Sequence, residues 1–272
     1  MAFDREKLTK KMRWYVADRL AEDRLSEINS HLEDVHPRKT FYTEHGKGII
    51  DIIVSLVALI VTAPINVFIA IGTLIDVGRP LLFHQERLGK DGRIFHISKF
   101  RNMKNIRDAR GELLPASQRV TKFGKMMRKT SLDELLNFWS ILKGDMSVIG
   151  PRPLVPEYYG RYNKRHKMRM AVRPGLECPP RENFGHVWTW QEQFDNDIWY
   201  VENVSFLTDI KMLWNLVRFT FDRKSNTARA TTARGTFLGY SEDGKAITLE
   251  EVPQSYIDEC EKFLVENNSE DK

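Results

Sequence analysis

The run IIDIIVSLVALIVTAPINVFIAIGTLI at residues 49–75 holds a single charge, Asp51. About 20 apolar residues suffice to cross the hydrocarbon core of a bilayer, so this segment is long enough to span one. Three features favour a different path. Pro64, near the middle, lacks an N–H and removes a helical hydrogen bond, so a kink is expected there. Thr62 and Asn66 flank it and can re-satisfy the freed backbone groups. Basic residues stand on both sides, Lys39 and Lys47 before and Arg79, Arg87, Lys90 and Arg93 after. The preference of Lys and Arg for cytoplasmic flanks then puts both ends on one side. A helix that enters, bends at Pro64 and returns satisfies all three. A plain single span and a buried helix of a soluble core are the alternatives.

The remainder of the chain is water-compatible. Mean hydropathy over the 272 residues is −0.43, so the membrane character is local. The net charge of +5 suits any anionic partner and does not choose between nucleic acid, lipid headgroups and phosphorylated metabolites. The two cysteines, Cys178 and Cys260, are far apart and lack a metal-ligand spacing, so no disulfide framework is expected and a reducing compartment is the default. The charged start MAFDREKLTKKMRW lacks the apolar core of a signal peptide, so the bulk of the chain is expected in the cytoplasm.

Apolar positions at Leu8, Met12, Val16, Leu20, Leu25, Ile28 and Leu32 predict a charged helix over 4–34, packed on the body or on a partner. LLFHQ and IFHISKF, separated by RLGKDGR, read as a β-hairpin with an Asp-Gly turn. Leu132, Leu135, Leu136, Trp139 and Leu142 predict one amphipathic helix over 132–143, ended by Gly144. Residues 154–172 read as a helix closing in the basic run Arg161, Lys164, Arg165, Lys167 and Arg169. FLTDIKMLWNLVRFTF at 206–221 reads as a helix suited to lie in a membrane interface, with the basic run holding the same plane. The polar stretch from 222 is expected to be loosely ordered.

The chemistry-bearing signal is R-K-T-S-L-D-E-L-L, Arg128 to Leu136. Ser131 and Glu134 fit an S-x-x-E capping box, a purely local role. The same place can serve a reaction. A helix N-terminus favours phosphate, and a carboxylate there can attack phosphorus. Neighbouring helical residues do not face each other, so Asp133 and Glu134 should have different tasks. Arg128 precedes the pair, and Arg152 follows it in G-P-R-P, where prolines stiffen the backbone. Arginine matches phosphate with a planar fork, though such a cluster can equally be an ion-pair network. No P-loop, G-x-G-x-x-G, H-E-x-x-H or nucleophile elbow is present.

Taken in order, the pieces resemble the bacterial sugar transferases, the monotopic polyprenyl-phosphate phosphoglycosyl transferases. The likeness runs from about Lys47 to Val217. It rests on the apolar segment with its central proline, K-F-R-N-M (Lys99 to Met103), S-L-D-E-L-L (Ser131 to Leu136) and L-K-G-D-M-S-V-I-G-P-R-P (Leu142 to Pro153). R-P-G (Arg173 to Gly175), W-Q-x-x-F-x-x-D-x-x-Y-V (Trp190 to Val201) and S-F-L-T-D-I-K (Ser205 to Lys211) complete the set.

The resemblance implies a mainly α fold with a small β-hairpin, a monotopic membrane-associated domain with a re-entrant, Pro-broken membrane helix. The corresponding units are an extension at 1–45, the membrane helix at 46–76, a catalytic domain at 77–221 and a tail at 222–272. It implies a UDP-sugar donor, a polyprenyl (undecaprenyl) phosphate acceptor in the membrane lipid and a seat on the cytoplasmic face of the bacterial inner membrane. It further implies Asp133 as nucleophile with Glu134 as partner, both at a required Mg2+. Arg128, Arg152, Lys99 and Arg101 then contact substrate, with Asp197 matching an acid near the donor and Pro64 the membrane break.

Two departures from the family pattern stand out. Ala63 replaces the usual serine before the proline. L-E-C-P-P-R-E-N-F-G-H (Leu176 to His186) replaces T-G-W-A-Q-V-N-G-R, which puts Gly185 where the family has an arginine and leaves Arg181 as the nearby replacement; Cys178 and His186 are tempting substitutes but more often structural. A catalytically altered member acting as a membrane scaffold is therefore the rival function. A nucleic-acid partner is not expected, because no such module is present.

Overall fold

The computed structural model describes residue 5 and residues 8–108, 111, 113–181, 186–222 and 234–270. Helix dominates. Three two-stranded sheets are small and separate.

Helix α1 (Lys10–His31) starts at Thr9, whose hydroxyl accepts from the Met12 N–H at 3.3 Å. Its predicted apolar positions Met12, Val16, Leu20 and Ile28 are buried. What covers them was not foreseen. The stretch expected to be loosely ordered returns from residue 234 as strands β5 (Gly239–Tyr240) and β6 (Ala246–Ile247) and a C-terminal helix, Gln254–Glu270. Leu238, Ile247, Val252, Ile257 and Cys260 share one core with Leu8, Met12, Val16 and Leu20. Phe237 enters an aromatic cluster with Tyr158, Tyr162, Trp190 and Phe194, at ring distances of 5.5, 5.9, 6.0 and 5.0 Å. The segment is polar on average, but its few apolar residues converge on one helix face, and burial depends on that convergence rather than on composition.

Helix α2 (Lys47–Val77) carries the apolar run and continues through Pro64. It is the one helix among the described residues long and apolar enough to cross a membrane, and only 11% of its apolar window is buried. A core helix of a soluble protein would be mostly covered, so that alternative falls. Both ends of α2 are rooted in the same body. Near its start, the lone Asp51 accepts from the Ser147 hydroxyl and the Val148 N–H, each at 3.0 Å, and from Arg173 at 3.3 Å. Lys47 pairs with Asp209 at 2.6 Å. Near its end, Asp76 accepts from the Thr121 hydroxyl, and Ile69 packs with Phe100 and Met127. Between the roots, Ile60, Val61, Val67 and Phe68 are exposed. Thr62 donates to the Ala58 carbonyl at 2.7 Å, and Asn66 donates to the Thr62 hydroxyl at 3.3 Å.

The predicted hairpin forms. Strands β1 (Leu82–Leu88) and β2 (Ile94–Phe100) pair antiparallel, from Leu82 opposite Phe100 to Leu88 opposite Ile94, and Asp91 and Gly92 take the positive φ angles of the turn. After a short helix α3 (Ala116–Arg119), helix α4 (Lys122–Thr130) leads to the acidic pair. The single helix expected over 132–143 is two pieces, a 3₁₀ turn at Leu132–Glu134 and helix α5 (Asn137–Leu142). Ser131, at φ 54°, turns the chain before the first piece. Of the residues that looked like one stripe, Leu132, Leu135 and Leu136 pack toward Phe100 and Met127 and Trp139 is exposed, whereas Phe138 and Ile141, off that stripe, pack toward Phe95 and Ile97.

The helix expected over 154–172 is likewise broken into 3₁₀ turns at Pro156–Arg161 and Met168–Ala171 around helix α6 (Lys164–Lys167). Extended backbone at Tyr162 and Asn163 makes the break, and the Asn163 side chain caps α6. Its basic run does not form one lipid-facing surface, because Arg161 and Arg169 are buried against Asp18 and Asp197. Strands β3 (Ser147–Ile149) and β4 (Gly175–Glu177) pair in parallel. They approach so closely that a Cβ on Gly175 would lie 2.1 Å from the Gly150 nitrogen, so only glycine fits there. Helices α7 (Trp190–Asn203) and α8 (Phe206–Phe221) close the body. Phe206, Leu207, Ile210, Leu213, Trp214 and Val217 of α8 are exposed, while Asp209 is buried and holds Lys47, Tyr42 and Tyr200. That arrangement suits the expected interfacial helix.

Candidate active site

The end of β2, the 3₁₀ turn at Leu132–Glu134 and the β3–β4 crossing bring four predicted residues together. Glu134 accepts from Lys99 at 2.5 Å and from Arg152 at 2.8 and 3.2 Å. Arg152 also donates to the Leu176 carbonyl at 3.1 Å and lies 3.5 Å from Glu177. Asp133 accepts from the Asn102 side chain at 2.9 Å, and Arg128 holds the carbonyl of that same amide at 2.9 Å. A cleft opens beside this cluster, lined by Arg87, Lys99, Glu134, Asn137, Arg152 and Leu176. Asp133 sits behind Glu134, with 6% of its surface exposed.

Ser131 makes no side-chain cap. Its left-handed backbone points the turn the wrong way for a capping box, and Glu134 spends its oxygens on Lys99 and Arg152 instead. With three residues in the turn, no helix N-terminus stands here to hold an anion.

The two neighbouring carboxyls are driven in opposite directions. Burial, reinforced by the charge of Glu134, raises Asp133 above the usual aspartate range, against the pull of Lys99 and Arg128. Burial also raises Glu134, but Arg152 and Lys99 outweigh it and hold that carboxyl below the usual glutamate range. Glu134 is therefore a fixed anion, held by Lys99 and Arg152 with acceptor capacity left on Oε2. Asp133 is the more basic group and the better nucleophile once ionised.

Arg101 is not part of the cluster. It donates to the carbonyls of Pro80 and Met103. Strand β2 ends at Phe100, and in the chain beyond it Asn102 rather than Arg101 reaches the acidic pair. Asp197 lies one step behind the cleft. It is fully buried and pairs with Arg169 at 2.6 Å, and Arg169 donates to the Arg152 backbone carbonyl at 2.9 Å. Pro64 sits at the exposed middle of α2, remote in sequence from either root.

In the altered segment, Arg181 stacks 4.5 Å from the Trp199 ring and donates to Asn196. Gly185 lies outside the described residues. Burial pushes the Cys178 thiol well up, which makes it inert, and His186 pairs with Glu192 at 2.9 Å. Asn102, Arg87 and Arg169 escaped the sequence reading. K-F-R-N-M contains Asn102, but only the end of β2 selects it over Arg101.

Among the described residues, no group of three or more His, Cys, Asp or Glu side chains is placed to hold a metal ion. Mg2+ commonly takes only one or two carboxylates and completes its shell with water and substrate phosphates. Asp133 and Glu134, whose mutual repulsion helps raise Asp133, fit that donor set.

The bacterial sugar transferase family matches residues 42–223. This chain belongs to that family. The uncharacterized sugar transferase EpsL of Bacillus subtilis is 38% identical over 172 residues, 63% of this chain and 85% of its own length. The galactosyl transferase CpsE of Streptococcus agalactiae is 31% identical over 215 residues, 72% of this chain and 47% of its own. The UDP-glucose:undecaprenyl-phosphate glucose-1-phosphate transferase of Klebsiella pneumoniae is 33% identical over 190 residues, 66% of this chain and 41% of its own. The chain thus spans under half the length of the latter two. Helix α1 and the C-terminal unit fall outside the family match.

Proposed function

We propose that this sugar transferase moves a sugar 1-phosphate from a UDP-sugar to a polyprenyl phosphate such as undecaprenyl phosphate, through a covalent intermediate on Asp133. The observation that carries the proposal is a cationic cleft lined by Glu134, Lys99 and Arg152, with Asp133 next in the chain and held by the Asn102 amide that Arg128 also binds. The names of relatives that act on undecaprenyl phosphate support the substrate class.

An ionised Asp133 oxygen attacks the sugar-bearing phosphorus, the bond to the bridging oxygen breaks, and UMP leaves. An oxygen of the polyprenyl phosphate then attacks the same phosphorus and frees the Asp133 carboxylate, leaving a lipid diphosphate sugar. Arg152 and Arg128 balance the phosphate charge. Lys99 and Arg152 keep Glu134 anionic and in place. Mg2+, held by Asp133 and Glu134 with the donor phosphates, would neutralise diphosphate charge when bound. Asp133→Asn should abolish UMP release and labelling of the protein from radioactive donor phosphate, a loss of at least about a thousandfold, while the fold persists. Turnover by that variant at the normal rate removes the assignment.

The membrane part follows from the roots of α2. Lys47 and Asp51 at one end and Asp76 at the other bind one body, which supports a helix that enters and leaves on the same cytoplasmic face of the inner membrane, with Pro64 deepest. Cysteines placed at Phe41 and Arg79 should both react with an impermeant thiol reagent from the cytoplasmic side. Reaction from opposite sides would establish a span. The scaffold alternative draws on the altered segment at 176–186, and a donor screen for UMP release separates it.

A further inference from the structure

Three cations line the cleft, Arg87, Lys99 and Arg152, against one carboxylate, Glu134. Lys99 and Arg152 share Glu134, and Arg152 also reaches Glu177 at 3.5 Å. Arg87 is left over. Among the described residues its guanidinium has no ion-pair partner, and it makes one hydrogen bond, from Nη2 to the side-chain oxygen of Gln85 at 2.7 Å. A guanidinium carries five N–H donors in a rigid fork, so Gln85 steadies one side and leaves an edge for an anion entering the cleft.

The hairpin register says which end of the cleft Arg87 serves. Residues directly opposite across an antiparallel pair share a face of the sheet. Phe83 stands opposite Lys99, Gln85 opposite Ile97 and Arg87 opposite Phe95, so Arg87 and Lys99 are on one face. Four residues of β1 separate Phe83 from Arg87, about 13 Å of strand. Lys99 enters beside the second root of α2, where Leu82, Phe100 and Ile69 pack together. Arg87 enters from the opposite end. There the Leu88 N–H donates to the Leu154 carbonyl at 2.8 Å, and the turn Pro156–Arg161 sets Tyr158 edge-on against Trp14 of α1. A half-buried cation with no acid of its own is costly. Burial, then the charge of Arg152, lowers the Arg87 pKa, with Glu134 and Glu157 opposing, and a bound anion would relieve both.

We infer that Arg87 is a substrate-binding residue that holds the nucleotide-side phosphate of the donor, the one that leaves with UMP. The inference rests on the proposed function. The sugar-bearing phosphorus has to lie by Asp133, next to Glu134 and Lys99, on the α2 side of the cleft. The lipid acceptor arrives from that same side with a single phosphate. A water-soluble donor has a second phosphate, which extends away from the α2 root and meets the Arg87 fork, a planar match for two phosphate oxygens. The two ends of the hairpin face thus divide the diphosphate between them, Lys99 toward the group that stays and Arg87 toward the group that departs.

The test uses the full chain in lipid nanodiscs and two probes, UMP for the nucleotide side and citronellyl phosphate, a short isoprenoid phosphate, for the acceptor side. The variants are Arg87→Met, which keeps the bulk and removes the fork, and Arg87→Lys, which keeps the charge alone. UMP binding should weaken about tenfold in the methionine variant and by less in the lysine variant, while citronellyl phosphate binding holds. Unliganded Tm should stay in place, because removing Arg87 leaves no carboxylate without its partner. UMP affinity equal to wild type overturns the inference and leaves the proposed function standing. A loss confined to citronellyl phosphate, or an equal loss for both probes, also overturns it. Failure of the wild-type protein itself to bind UMP overturns both readings. If methionine lowers Tm, the lysine variant carries the comparison by the same criteria.

Discussion

Two arginine–carboxylate pairs stand on either side of one peptide. Arg152 with Glu134 faces the cleft, its side chain 39% exposed. Arg169 with Asp197 lies inside, at 3% and 0%, and donates to the Arg152 carbonyl. The chemistry is the same, and exposure separates the roles. The outer pair can exchange partners with a phosphate. The inner pair cannot, and its service is to hold the backbone from which the outer arginine reaches.

The inner pair should dominate stability. Arg169→Met leaves Asp197 as a buried charge without its partner, which costs about 3–5 kcal/mol, a Tm drop of roughly 10 °C for a chain of this size. Arg152→Met should barely move Tm, because its partner Glu134 keeps Lys99 and the cleft is open to water, yet should lower kcat/KM about a hundredfold by removing a phosphate donor. Calorimetry and UMP release on both variants break the comparison if the two effects exchange places.

A smaller effect sharpens the outer pair. In the proposed reaction Asp133 attacks ionised, and burial raises its pKa, so the rate should fall with decreasing pH through a limb above the usual aspartate range. Lys99 opposes that rise. Lys99→Met should therefore move the limb to still higher pH, read from normalised pH profiles of UMP release. A limb that stays in place would show that the titrating group is not Asp133.

Much of the cleft was legible in the chain. Glu134, Lys99 and Arg152 meet as their motifs implied, and the hairpin and the exposed α2 were readable from apolar runs and an Asp-Gly turn. The failures share a cause. Leu132, Leu135 and Leu136 matched a helical stripe with Trp139 by spacing, but they pack on Phe100 and Met127 while Trp139 is exposed, and spacing carries no information about which neighbour arrives. Arg161 and Arg169 looked like surface charge because Asp18 and Asp197 are distant in sequence. Residues 234–260 looked disordered because composition averages away the few side chains that α1 collects. Asn102 rather than Arg101 reaches the acidic pair, because the motif K-F-R-N-M does not say which of its side chains turns inward once β2 has ended at Phe100.

The mildest expected effect lies on the inner side, at His166. Its ring is buried, accepts or donates at 2.9 Å to the Tyr240 hydroxyl and lies 3.5 Å from Asp195. Burial lowers its pKa, with Asp195 opposing and Arg169 assisting. A base with a depressed folded pKa binds fewer protons folded than unfolded, so its contribution is present above the ordinary histidine value of about 6.5. It is lost as pH falls through the depressed folded value. Asp195 has its own pKa lowered, so it stays ionised between pH 7.5 and 5.5 and does not blur the comparison. Over that interval wild type should lose about 2 °C more in Tm than His166→Gln, which keeps a polar partner for Tyr240 and cannot titrate. Equal losses would mean that the inner side takes up a proton without penalty. The inner Arg169–Asp197 pair would then lie in a wetter setting than its burial implies, and the contrast with the cleft would narrow.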